Sequence, residues 1–410
     1  MICSLFDSRV NNGKKMKTGI PKNVDMCSER LSLISTLSKT WVSPELHQSI
    51  AMIALRRGQV VFSEAVGNQT PEPDSPPARL DAIYTIASLS KVITATAVMT
   101  LVEDGLLSLH NPVADYIPEF VGESKDKVTL WHLLTHTIGG YRMEDVDDLP
   151  SRGSDKFQDS QSTPDRLHPL IDGFLKLGYE VPLTRGPGTV VGYSNYGYEL
   201  LGEVVRRVSG QELEHYAEER IFKPLGMKDT HYILPREKWH RLVRRPVNAP
   251  FATALDFFMS GLETELILET PWASCGVCST AHDLAMFALM FLNGGRVDAN
   301  QVLSPTTVSY MKRNQTPGFP DWDGNEQAQD GTRGIGWDIP GAKRDLKYAN
   351  LYSPSAFSHS GAGGILVWVD PEYDLVGVFM SVELKVRSDL QRCWAGDRYA
   401  NAVTAAITEI

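Results

Sequence analysis

The chain has 410 residues, with 40 Lys and Arg against 50 Asp and Glu, a net charge of −10. Its 42% hydrophobic and 22% charged residues are the composition of a folded globular chain and exclude a disordered one. The acidic balance excludes nucleic acid as an expected partner, because phosphate binding needs a clustered basic surface and the only basic group, Arg241, Arg244 and Arg245, is short and interrupted.

No run approaches the ~20 apolar residues of a membrane-spanning helix, so no membrane partner is expected. The N-terminal stretch lacks the apolar block of roughly 7–15 residues that a secretory signal needs. Five cysteines, Cys3, Cys27, Cys275, Cys278 and Cys393, are an odd and dispersed set, unlike a disulfide framework. The expected location is therefore the reducing cytoplasm.

In chain order, residues 1–26 carry little pattern and are expected to form a mobile extension. Leu31, Ile34 and Leu37 recur every three residues and predict a surface helix from Ser28 to Trp41. The β-rich runs Ile50–Leu55 and Val60–Val66 flank Arg57-Gly58 and read as a hairpin. Val92 to Leu106 is apolar on nearly every face, the pattern of a helix buried on all sides. Further helices are expected over Glu199–Val208, Glu212–Ile221 and Ala281–Leu292. A second hairpin, Ile365–Val369 and Leu375–Met380, and a final helix from about Asp389 to Ile410 close the chain. Strands at both ends with helices between predict one antiparallel sheet interrupted by a helical insertion. The polar stretches Glu144–Arg166 and Arg313–Arg333 are too long for ordinary connections and read as mobile or functional loops.

The sequence contains no G-x-S-x-G elbow, no phosphate-binding G-x-x-x-x-G-K-[ST] loop and no G-x-G-x-x-G dinucleotide motif. His132 and His136 stand at i and i+4, the spacing of one helical face. Leu133 occupies the place where a zinc peptidase needs Glu, so both are read as structural. Cys275-Gly-Val-Cys278 lacks a second cysteine pair and reads as two small buried residues. No metal and no organic cofactor is implied.

Ser-x-x-Lys occurs three times, at Ser88–Lys91, Ser124–Lys127 and Ser309–Lys312. Only the first enters the apolar helix, where i, i+3 spacing brings an amine over a hydroxyl and burial disfavours the ammonium form. The helix N-terminus also places positive backbone dipole where an oxyanion would form. Tyr-x-Asn also occurs three times, at Tyr193–Asn195, Tyr348–Asn350 and Tyr399–Asn401. The first alone follows a Gly-Pro-Gly-Thr turn and precedes a helix. His359-Ser-Gly361 stands directly before the strand Ile365–Val369, where glycines at 361, 363 and 364 let a ligand approach the backbone.

This ordered set resembles the class C serine β-lactamases and their relatives, the D-alanyl-D-alanine peptidases, β-lactamase-like carboxylesterases and lovastatin-type acyltransferases. LWHLLTHTIGG (130–140), GPGTVVGYSNYGYELLGEVV (186–205), IFKPLGMKDT (221–230), CSTAHDLAMFALMFLNGG (278–295) and FSHSGAGGILVWVDPE (357–372) are similar to this family's signature stretches. The resemblance spans Ser28 to Ile410 and implies an α/β (α+β) fold of the β-lactamase/transpeptidase type, an antiparallel sheet flanked by helices plus a helical domain. The expected division is a sheet domain from 27–80 and 271–410 and a mainly helical one, 81–270, carrying both motifs.

By that resemblance Ser88 is the nucleophile, Lys91 and Tyr193 share the general-base role, and Asn195 bonds Lys91 or the substrate. The backbone amides of Ser88 and Ala362, beside Gly361, form the oxyanion hole. His359 stands where many relatives carry Lys, and a neutral imidazole cannot hold an anionic substrate as lysine can. The expected function is a serine acyl hydrolase, carboxylesterase-like, acting on a small-molecule ester or amide. The alternatives are an acyltransferase of secondary metabolism, a β-lactamase or D,D-peptidase, and a non-catalytic scaffold. Pro250–Trp272, with Phe251, Phe257, Phe258, Leu262, Leu266, Ile267, Leu268 and Trp272, is expected either to wall an apolar pocket or to form core under the sheet.

Overall fold

Strands from both ends of the chain meet in one six-stranded sheet. The computed structural model describes residues 16–43, 45–122, 124–141, 167–249, 261–321, 329–340, 349–384 and 394–410. The sheet strands are β1 (Lys17–Thr18), β2 (His47–Arg56), β3 (Gln59–Gly67), β6 (Phe357–Gly361), β7 (Ile365–Asp370) and β8 (Leu375–Glu383), in the order β1-β3-β2-β8-β7-β6. All neighbours are antiparallel except β1, which runs parallel to β3 through Lys17↔Gln59 and Thr18↔Val60. A two-residue pair, β4 (Tyr84–Thr85) with β5 (Cys278–Ser279), lies outside it.

The alternation of side chains along β2 explains why every one of its residues is buried. Ile50, Met52 and Ala54 face one apolar layer with Leu31, Ile34 and Trp41 of α1 (Ser28–Trp41) and Ala395, Tyr399 and Val403 of the final helix. Ala51, Ile53 and Leu55 face the main core instead, which contains α2 (Ser90–Glu103) and the helix Ala281–Leu292. The second hairpin continues both layers, with Phe379 on the first and Val378 and Met380 on the second.

Around α2 stand α3 (Leu130–Leu134), α4 (Pro169–Tyr179), α5 (Tyr196–Ser209) and α6 (Leu213–Ala217), followed along the chain by α7 (Ala281–Leu292), α8 (Pro305–Met311) and α9 (Trp394–Thr404). Residues Ser90 to Leu101 of α2 are all buried, as its apolar sequence requires. The helix stops short of Leu106 because Gly105 takes φ +73, and Leu106 is left 54% exposed.

Several expectations are corrected. Residues 16–26 pack on the fold instead of forming a mobile extension: β1 joins the sheet, Val24 and Met26 are buried, and Met26 bridges Ile407, while residues 1–15 lie outside the described residues. His359-Ser-Gly361 does not merely precede the strand Ile365–Val369: Phe357–Gly361 is itself the edge strand β6. The single helix expected over Glu212–Ile221 is α6 followed by a wider turn, Glu218–Phe222, and a short helix at Lys223–Leu225. The stretch 144–166 and residues 389–393 of the expected final helix lie outside the described residues. No helix among the described residues is long and apolar enough to cross a membrane.

Candidate active site

Ser88 lies on a tight 3-10 turn, Ala87–Leu89, that runs directly into α2. The preceding residue, Ala87, is fully buried at φ +45, a left-handed conformation costly for a side chain other than glycine. Its surroundings hold it there: β4 pairs with β5, and the Ile86 N–H donates to the Val277 carbonyl at 2.9 Å.

Lys91 sits in the first turn of α2 with no solvent exposure. Its Nζ donates to Ser88 Oγ at 3.3 Å, to Asn195 Oδ1 at 2.8 Å and to the Ser274 carbonyl at 3.0 Å. Three oxygen atoms thus surround the Lys91 nitrogen. Asn195 is the residue that opens α5, so the helix start fixes its amide against the lysine.

Tyr193 lies two residues earlier, with its ring centroid 4.8 Å from Lys91 Nζ. On its other side the ring stacks with His136 at a centroid distance of 4.4 Å. The His136 Nδ1 accepts the Ser194 N–H at 3.1 Å, and its carbonyl accepts the Gly192 N–H at 2.7 Å. Burial, reinforced by the neighbouring Arg333 and Lys91, holds the His136 imidazole well below the usual histidine range. The two-histidine helical face expected from sequence is absent: α3 ends at Leu134 and His136 lies beyond it at φ +58.

His359 belongs to β6 and is buried, its Nδ1 donating to the Ser360 carbonyl at 2.7 Å. Desolvation lowers its pKa to about 4, against the raising effect of Asp338, so the imidazole is neutral near pH 7. Asp338 pairs with the buried Arg333 and exchanges backbone hydrogen bonds with Ser358. The Arg333 guanidinium lies 5.4 Å from the Tyr193 ring centroid. At the end of β6 a Cβ on Gly361 would stand 2.2 Å from the Ile86 carbonyl, so only glycine lets this strand close against the segment leading to Ser88. Ala362 follows, and Gly363 and Gly364 turn the chain back at φ +86 and +108.

The structure therefore brings Ser88, Lys91, Tyr193, Asn195, His359 and Gly361 around one point between α2, α5 and β6. Tyr348 of the second Tyr-x-Asn match lies outside the described residues, and the other competing matches lie elsewhere. Ser124 and Lys127 are exposed, Ser309 is on α8, and Tyr399–Asn401 lies on α9 across the sheet. Between Ser124 and Lys127, Lys125 is buried and donates to the Tyr179 carbonyl at 2.5 Å. Sequence reading missed the Ser274 carbonyl, an acceptor with no side-chain signature, and the Arg333–Asp338 pair at the end of a stretch read as a loop.

Of the two alternatives for Pro250–Trp272, the described residues take the core one. Leu262 and Ile267 are main-core residues, Leu268 packs with Ile83, Leu234, Leu242 and Cys278, and Trp272 meets Phe174 edge to face. Only Leu266 is exposed, while Phe251, Phe257 and Phe258 lie outside the described residues. Cys275 and Cys278 are both buried, and desolvation pushes the Cys278 thiol up. Among the described residues no group of three or more His, Cys, Asp or Glu could hold a metal ion.

Protein Rv1367c of Mycobacterium tuberculosis is 27% identical over 343 residues, covering 74% of this chain and 78% of the relative. EstCE1, described as a hydrolase with promiscuous acyltransferase activity, superposes with a TM-score of 0.71 at 18% identity, covering 93% of this chain and 99% of that one. A penicillin-binding protein homologue from Caulobacter crescentus superposes with a TM-score of 0.69 at 22% identity, covering 89% and 93%. At these identities the two structures show the fold alone, which is the β-lactamase/transpeptidase fold expected from sequence. The Beta-lactamase family model matches residues 40–401, and over that span the chain belongs to this family of serine hydrolases.

Proposed function

We propose that the protein is a serine acyl hydrolase of the carboxylesterase type, with Ser88 as nucleophile and the Lys91–Tyr193 pair as its base. The observation that carries this reading is the buried Lys91 amine, 3.3 Å from Ser88 Oγ and held by two further acceptors. Ser88 Oγ attacks the ester carbonyl carbon while its proton passes to the Lys91–Tyr193 unit. The backbone amides of Ser88 and Ala362 receive the developing oxyanion. The C–O bond to the alcohol then breaks, and the alcohol leaves with that proton. Water then attacks the acyl-Ser88 carbonyl carbon and gives a proton to the same unit; the C–Oγ bond breaks, that proton returns to Ser88 Oγ, and the carboxylic acid leaves. Replacing water with an alcohol or amine gives the acyltransferase outcome, and EstCE1 is described with both on this fold.

The electrostatics favour an uncharged acyl group over a free carboxylate. His359 is neutral near pH 7, and the neighbouring Arg333 is already paired with Asp338. An unpaired carboxylate buried here would be costly. The test is kcat/KM on short aryl esters, a chromogenic cephalosporin and a D-Ala-D-Ala peptide, with a fluorophosphonate label mapped by mass spectrometry. Esters are expected to lead by about 10²-fold, equivalent to ~3 kcal/mol of transition-state preference. The label is expected on Ser88, and Ser88→Ala is expected to abolish turnover while Ser124→Ala and Ser309→Ala retain it. A label on another serine, or efficient peptide or cephalosporin turnover with negligible ester hydrolysis, overturns the reading.

A further inference from the structure

Lys91 owes one of its three acceptors to the main chain, and a peptide carbonyl is only as well placed as the segment carrying it. Residues 273 and 274 belong to no strand or helix. Their amides are instead held by one side chain. Glu199 Oε2 accepts the Ala273 N–H at 2.9 Å and Oε1 accepts the Ser274 N–H at 2.9 Å. Glu199 is 1% exposed. It stands four residues after Asn195 on α5, one turn along the same helix face.

The opposite edge of the segment is fixed by α2. Thr94 Oγ1 donates to the Ala273 carbonyl at 2.6 Å, and Lys91 Nζ donates to that of Ser274 at 3.0 Å. Gly202, three residues beyond Glu199, lets the segment approach, since a Cβ there would stand 2.8 Å from Ala273 Cβ. One helix face thus supplies Asn195 as a direct acceptor for the lysine and Glu199 as the holder of a second.

We infer that Glu199 is a positioning residue for Lys91, its carboxylate clamping the Ala273 and Ser274 amides so that the Ser274 carbonyl aims the amine at Ser88. The inference rests on the reading of Lys91 as part of the base. Glutamate suits the clamp for a simple reason: both of its oxygens accept, and both amides donate. Glutamine would turn an N–H₂ donor toward one of the two amides. Aspartate, one methylene shorter, cannot reach both. Desolvation raises the Glu199 pKa, while the two amides and Lys91 favour the ionised form that the clamp requires.

The test compares Glu199→Gln, Glu199→Asp and a control, Glu203→Gln, in the full chain. Glu203 is a buried carboxylate one turn further along α5, and it is bonded to Arg206 and Arg207. The readouts are kcat and KM on an aryl ester, the rate of fluorophosphonate labelling of Ser88, and the thermal midpoint. Both Glu199 variants are expected to lose about 10- to 100-fold in kcat and in labelling rate with KM nearly unchanged, as small misplacement of a reacting group does. Glu203→Gln is expected to lower the midpoint and keep kcat. If Glu199→Gln does not fold, Glu199→Asp, which keeps one amide bond, carries the comparison. Wild-type kcat in a folded Glu199 variant, or a loss matched by Glu203→Gln, overturns the inference. Activity surviving in Ser88→Ala would instead overturn the underlying reading, so the two failures are distinct.

Discussion

The imidazole of His136 lies against the phenol ring of Tyr193, with centroids 4.4 Å apart and planes inclined by 24°. The same imidazole accepts the amide of Ser194, so one side chain sets both the plane and the chain position of the tyrosine. His136→Ala should leave the Ser194 N–H without an acceptor, at a cost of about 1–3 kcal/mol in stability. It should also lower kcat by about tenfold or more by freeing the Tyr193 ring. Urea unfolding and steady-state kinetics on the same preparation check both halves. Loss of stability with unchanged kcat would limit His136 to a packing role.

Lys91 and Tyr193 touch, with the amine 4.8 Å from the ring centroid, so they should handle protons as one unit. Removing either is expected to cost about 10²–10⁴ in rate. The double variant should be little worse than either single one, because groups acting as a unit are non-additive. Multiplicative losses in kcat/KM would assign them independent roles.

Stability should fall in mild acid through buried histidines, and His47 gives the cleanest case. It is 4% exposed on β2, its Nδ1 lies 3.1 Å from Ser381 Oγ, and burial lowers its pKa to about 4. The unfolded chain takes up a proton near pH 6.5 and the folded chain does not until about pH 4, so stability is full above pH 6.5 and declines as pH falls. At pH 5 the His47 share of that loss is about 2 kcal/mol. Urea unfolding at pH 7.5 and pH 5 should show a smaller difference for His47→Gln than for wild type. Equal differences in the two proteins would contradict the assignment.

Both histidines of the apparent metal spacing have their Nδ1 occupied. His132 accepts the Thr129 N–H at 3.0 Å and His136 accepts the Ser194 N–H at 3.1 Å. Dialysis against EDTA should leave ester hydrolysis unchanged, and metal analysis of the purified protein should find no stoichiometric zinc. One zinc per chain, or activity restored only by added metal, would refute this.

Periodicity and local composition determined much of this protein without any structure. The 28–41 and 281–292 helices match their predicted limits, because each combines an apolar repeat with clear ends. Both hairpins were legible because β-branched runs flank turn residues. The Ser88–Lys91 pair stood out from two identical tetrads because only it enters a helix apolar on every face. Tertiary structure decided the rest. Edge strand β6, with two serines and a histidine in five residues, is too short and polar to announce itself, and exists because β7 pairs with it. Residues 16–26 carry no pattern, yet the exposed edge of β3 and the end of the chain give them partners. The acceptor of Lys91 at residue 274 is a main-chain carbonyl, which every residue possesses, and a glutamate 75 positions earlier holds it in place. Sequence records which side chains are present and how they repeat. Which backbone atoms converge on a lysine depends on long-range packing, and that was decided only when α2, α5 and the 273–274 segment came together.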